Sequence, residues 1–228
     1  TDNSTMLASI DEDVTNPSGA TVLSLFAVTF SDSADSFNSG QNQFAGIAVR
    51  SQNTTNIATE GRWQYSTDNG TSWNNFTAIS NASAISLGLN DLLRFIPEAN
   101  FNGLTDVITA RLIDNSVTVT SGNTIDVNTN GGVTPYSSSF VSIATRINAV
   151  NDAPTATNLS ASETYNEDTA LNLTDIVISD VDSASVTATL TLSNAAAGAL
   201  NTATSGAVTS TYNAVTGVWS ASGALADV

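Results

Sequence analysis

Short runs of alternating apolar and polar residues, each cut off by turn-forming residues, constrain the fold of this chain more than any other feature. Residues 140–147 set Phe140, Ser142, Ala144 and Arg146 against Val141, Ile143, Thr145 and Ile147. Residues 107–113 alternate likewise, with Ile108, Ala110 and Leu112 opposed to Thr109 and Arg111. A period of two puts successive side chains on opposite faces of a strand, so such runs predict strands. Residues 92–96 predict another, stopped by Pro97. Asp68-Asn69-Gly70 marks a hairpin turn, because Asn and Gly accept positive φ. Residues 186–192 read as a strand, and 211–219 as a hairpin around 213–217. The apolar run 20–30 predicts a buried strand or a strand with a short turn, and 84–90 a short helical turn or loop. Short strands at turn-bounded intervals predict an all-β chain built as a β-sandwich.

At 228 residues the chain suits one large or two medium domains. Two features place a joint near residue 150. A strand-like run ends at Ile147, and the polar stretch Asn148-Ala149-Val150-Asn151-Asp152-Ala153-Pro154 follows. Beyond it, features of the first part recur. Glu167-Asp168 echoes Glu12-Asp13, and Ser179-Asp180-Val181-Asp182-Ser183 echoes Ser31-Asp32-Ser33-Ala34-Asp35. The expected domains are therefore 1–150 and 151–228. The second is shorter than the roughly 100 residues of a common sandwich, and is expected to be incomplete. No secretory leader pattern opens the chain, and it stops at Ala226-Asp227-Val228, so it reads as a piece of a longer protein.

Charge narrows the function. Twenty-one acidic residues face five arginines, with no lysine and no histidine, for a net charge of -16. Such a chain repels nucleic acid and anionic membrane surfaces, and its natural counter-charge is a divalent cation. Without histidine, cysteine or lysine there is no Ser-His-Asp, Cys-His or Schiff-base machinery, so no enzyme is expected. The lack of cysteine also excludes disulfides and thiolate metal sites. EF-hand spacing and phosphate-cradling glycine loops are absent too.

Two stretches resemble known motifs. Ser66-x-Asp68-x-Gly70-x-x-Trp73 resembles the Asp-box of sialidases and other β proteins, which implies a structural turn; sugar contact through Trp73 is the alternative. Trp63, Trp73 and Trp219 are expected as core or hairpin anchors. Asn151-Asp152-Ala153-Pro154, with Glu167-Asp168 and Asp180-x-Asp182, resembles the "NDAP"-linked, cadherin-like and immunoglobulin-like repeats of large RTX-type bacterial surface adhesins. The match to animal cadherins is looser. Asn148 stands where their linker starts with Asp, and the Asn before Ala-Pro is missing.

The resemblance implies a bacterial cell-surface adhesin segment with calcium at the domain junction. Calcium takes six to eight hard oxygen ligands, from carboxylates, amides, carbonyls and water. The joint offers Asn148, Asn151 and Asp152; the second unit offers Asp180 and Asp182, with Glu167 as a bridge. In the first unit Asp11, Glu12, Asp13, Asp32 and Asp35 are expected to serve a junction with a preceding domain. Solvated turn carboxylates are the competing reading, since Asp and Asn form turns without metal. The expected function is an extracellular, monomeric, calcium-rigidified spacer for cell adhesion, whose partners are neighbouring repeats of one long chain. The alternative is a module whose loops 31–44 and 128–139 contact a surface glycan or protein.

Overall fold

A computed structural model describes residues 4–32, 36–37, 40–53 and 55–228, and nearly all of its regular structure is β. The chain divides into two compact units, Thr1–Val150 and Asn151–Val228.

The first unit is built on two principal sheets. The larger has six strands in the order Ser4–Met6, Val141–Ala144, Ile108–Asp114, Phe44–Gln52, Ala84–Gly88 and Thr124–Ile125. The smaller has four: Ala20–Thr21, Leu92–Pro97, Gly61–Ser66 and Asn74–Asn75. One buried cluster joins them. Ile47, Val49, Leu87 and Ile143 come from the larger sheet and Trp63, Leu93 and Phe95 from the smaller. Trp63 meets Phe95 edge-on at 5.4 Å between ring centroids, a favourable aromatic geometry. Two sheets enclosing one apolar core make this unit a β-sandwich.

A second cluster, Ala48, Ala84, Ile113 and Val127, covers the other face of the large sheet. That explains why strand Ile108–Asp114 is buried on both faces rather than on one. Arg111 lies on this strand at 4% exposure. Its guanidinium donates to the Ser137 and Ser138 carbonyls and sits 4.5 Å from the centre of the Phe140 ring.

Two local expectations are corrected. The run 20–30 is not one strand. Only Ala20–Thr21 pairs, and Val22–Phe26 is an α-helix whose first turn is capped by the Thr21 hydroxyl accepting from the Ser24 N–H at 3.2 Å. Its buried residues Val22, Leu25 and Phe26 fall at helical spacing, while Leu23 and Val28 face outward. A short apolar run does not distinguish helix from strand by itself. Conversely, Ala84–Gly88 is a strand paired with the central strand from Gly46↔Gly88 to Val49↔Ile85. Tertiary pairing overrides a weak local preference there.

The turn 66–73 is dense with hydrogen bonds. The Ser66 hydroxyl donates to Asp68 Oδ1 at 2.7 Å and accepts from the Gly70 N–H at 2.8 Å. The Ser72 N–H and hydroxyl donate to Asp68 at 2.9 and 2.6 Å. The Ser72 hydroxyl above all, then its N–H and the Ser66 hydroxyl, hold the Asp68 carboxyl down at about 2. Arg94 covers the Trp73 ring at 3.9 Å, so that face of the indole is already occupied.

The second unit is sparser. A three-stranded sheet runs Ser185–Thr191, Val218–Ala224, Thr211–Asn213, beside the two-stranded pairs Thr204–Ser205/Val208–Thr209 and Thr155–Ala156/Ile178–Ser179. Register sets Val186, Ala188 and Leu190 opposite Gly223, Ala221 and Trp219 on one face, with Thr187 and Thr189 opposite Ser222 and Ser220 on the other. Among the described residues only Val208 and Ala221 are buried apolar side chains here. Leu159, Leu173, Val177 and Val181 lie exposed.

Candidate functional site

All but Glu167 and Asp35 of the expected ligands fall into three hydrogen-bonded groups, each with a physical cause. The first lies at the end of the first unit. Strand Ile10–Asp11 pairs in parallel with Arg146–Asn148, matching Ile10 to Ile147 and Asp11 to Asn148. The Glu12 N–H extends this ladder to the Asn148 carbonyl at 3.0 Å. The Glu12 side chain, 3% exposed, then accepts the Val150 N–H at Oε1, 2.7 Å away, and the Asn102 amide at Oε2, 3.3 Å away. Asn148 donates to Asp11 Oδ1 at 3.0 Å. Asp13 adopts a left-handed φ of 66° and accepts from the Asn100 N–H at 3.5 Å. Asp11 and Glu12 thus bond to the segment leaving this unit, Asn148 to Val150, while Asp13 bonds to Asn100. The parallel pairing of residues 137 positions apart is the reason.

The second group is in the second unit. Asp182 Oδ2 accepts the Asp152 N–H at 2.9 Å. Asp180 Oδ1 accepts the N–H groups of Ser183 at 2.7 Å and Asp182 at 3.2 Å. The Ser183 N–H is the main reason the Asp180 carboxyl is held below its ordinary value. Asn151 donates its amide to the Asp152 carbonyl at 2.7 Å. The i, i+2 pair therefore folds into a turn that fastens the first residues of its own unit. Glu167 stands in an exposed turn closed by the Thr169 N–H donating to the Asn166 carbonyl at 3.2 Å.

Asp32 belongs to a third group. It accepts from the Asn42 amide at 3.1 Å, and the same Nδ2 lies 3.5 Å from Asp114 Oδ2. Asp35 lies outside the described residues. Sequence reasoning missed Asn42, Asn102 and Asp114. Asp114 ends an alternating strand and meets Asn42 across 72 positions, so no local pattern marks it.

All of these donor atoms are oxygens of carboxylate or amide groups, the kind a hard cation takes. They fit calcium in kind. Among the described residues no three acidic side chains gather closely enough to hold a metal by themselves. A cation here would also draw on carbonyls, amides and water. Searches for relatives found nothing to set beside this geometry: no family model, no curated protein and no solved structure matches the chain.

Proposed function

We propose that the chain is a non-catalytic, extracellular segment of a bacterial surface adhesin, a spacer of β modules stiffened by calcium and flanked by further repeats of the same chain. One observation supports this reading above the others. Carboxylates of each unit bond to the backbone on that unit's own side of the peptide joining Val150 to Asn151: Glu12 to the Val150 N–H, and Asp182 to the Asp152 N–H. A doubly charged ion would neutralise the carboxylates held on each side of that peptide. Asp152, Asp180 and Asp182 with Asn151 would hold calcium on one side. Asp11, Glu12, Asp13 and Asn148 would do so on the other, with Glu167 as a further ligand. Bound calcium supplies positive charge and fixed coordination. The chain's own contribution is to hold carboxylates in place and to limit backbone rotation at residues 150–152. The absence of histidine, lysine and cysteine supports a non-catalytic role.

Calcium should raise the melting temperature over that in EDTA and narrow the distribution of overall dimensions seen by small-angle scattering. Asp180→Ala with Asp182→Ala should remove the narrowing. Melting and scattering that ignore calcium would refute the spacer reading. A second reading rests on a cavity of about 430 Å³ lined by Phe30, Asp32, Gly132, Pro135, Tyr136 and Ser138. Its lining includes Ser31 and Asp32 from one of the loops expected to contact a glycan or peptide, and Gly132 and Ser138 from the other. A hit on a glycan or peptide array, lost on changing those loops, would favour a binding module.

A further inference from the structure

We propose that Asp32, Asn42 and Asp114 form a binding site for one hard divalent cation inside the first unit. Asp114 ends strand Ile108–Asp114 and is 5% exposed; Asn42 precedes strand Phe44–Gln52 and is 4% exposed. A two-way backbone and side-chain clasp holds these segments together: the Asn115 N–H donates to the Gln43 carbonyl at 2.9 Å, and the Gln43 N–H to Asn115 Oδ1 at 2.9 Å. Three observations point to a cation at this place.

First, a buried carboxylate ordinarily needs a cationic partner or a metal. The described donors to Asp32 and Asp114 are all neutral. They are the Asn42 amide for both, and the Ser116 N–H at 2.7 Å and Ser116 hydroxyl for Asp114 Oδ1. Second, the Asn42 Nδ2 stands within 3.1 Å of one carboxylate and 3.5 Å of the other, where a cation would sit, while Asn42 Oδ1 is buried with no hydrogen-bond partner. An orphaned buried acceptor is costly and calls for an explanation. A half-turn of the Asn42 amide exchanges its two ends and turns that oxygen toward the carboxylates. With an ion between them, three oxygens face it, and the amide NH₂ group takes the place that the oxygen leaves. Third, Asp32 and Asp114 both line the cavity of about 430 Å³, which gives a hydrated ion a path to them and room for the waters that complete its shell.

The site rests on contacts within the first unit and not on the spacer reading. Calorimetric titration of calcium, and separately magnesium, into the EDTA-stripped full chain tests it. The double variant Asp32→Asn/Asp114→Asn should lose one bound ion or bind it at least roughly tenfold more weakly. Its metal-free form should melt no lower than the wild type, since the repulsion is gone. Asp182→Ala should leave this ion in place. Asn42→Asp adds a third carboxylate and should tighten binding roughly tenfold while lowering the metal-free melting temperature. Loss of either metal in the double variant supports the site. Unchanged stoichiometry and affinity in that variant, or unchanged affinity in Asn42→Asp, overturns it and leaves the proposed joint untouched.

Discussion

Replacing Glu12 with alanine removes the carboxylate that fastens the last residue of the first unit. Glu12 is 3% exposed and accepts the Val150 N–H at 2.7 Å and the Asn102 amide at 3.3 Å. A hydrogen bond to a charged group contributes roughly 1.5–3 kcal/mol net, and the longer bond belongs at or below the lower end. Losing both therefore costs about 2–4 kcal/mol, less whatever relief comes from no longer burying a charge among neutral donors. For a unit of this size each kcal/mol moves the melting temperature by about 2–4 °C, so Glu12→Ala should lower it by about 4–16 °C in differential scanning calorimetry. Glu12→Gln separates hydrogen bonding from charge. Its Oε1 still accepts from Val150, and Asn102 can turn its own amide to accept from the new NH₂ group. The glutamine variant should stay within about 1 kcal/mol of wild type. An alanine variant as stable as the parent, or a glutamine variant as damaged as the alanine one, would refute the latch.

Two further outcomes follow from the first unit. The folded-state value of Asp68, about 2, lies below the ordinary 3.8, so its stabilising effect is fully present above pH 4 and fades as pH falls toward 2. Asp68→Ala should therefore reduce the loss of stability between pH 4 and pH 2 in urea titrations, and a carboxyl midpoint near 4 by NMR would contradict the assignment. Gly61 has φ +123°, and a Cβ there would meet the Ile96 carbonyl oxygen at 2.1 Å and Pro97 Cα at 2.8 Å. Gly61→Ala should destabilise the unit by roughly 1–3 kcal/mol or more from backbone strain and overlap, measured by urea unfolding; a neutral result would mean that the strand edge shifts freely.

Much of the β architecture was legible because alternation reports directly on strand faces. The strands containing Ile108, Val141 and Val186 sit where period-two patterning placed them, and those containing Leu92 and Trp219 where the run before Pro97 and the turn at 213–217 placed them. The helix Val22–Phe26 was not legible as one, since its apolar residues are contiguous enough to suit either element. The acidic residues were legible as a set, but their grouping was not. Asp11 and Glu12 meet Asn148 and Val150 only because a two-residue strand near the start pairs with one near residue 147. Asp32 meets Asp114 only because Asn42 stands between them.

Composition and periodicity alone determined an all-β chain, poor in cations, without thiol or imidazole chemistry, and bearing acidic turns. Those properties are local or additive, so a linear reading reaches them. Which carboxylate is buried, which N–H it accepts, and which amide oxygen is left without a partner were decided only in three dimensions. Each depends on residues brought together from tens to more than a hundred positions apart, and the energy of a buried polar group is set by those neighbours rather than by its own identity.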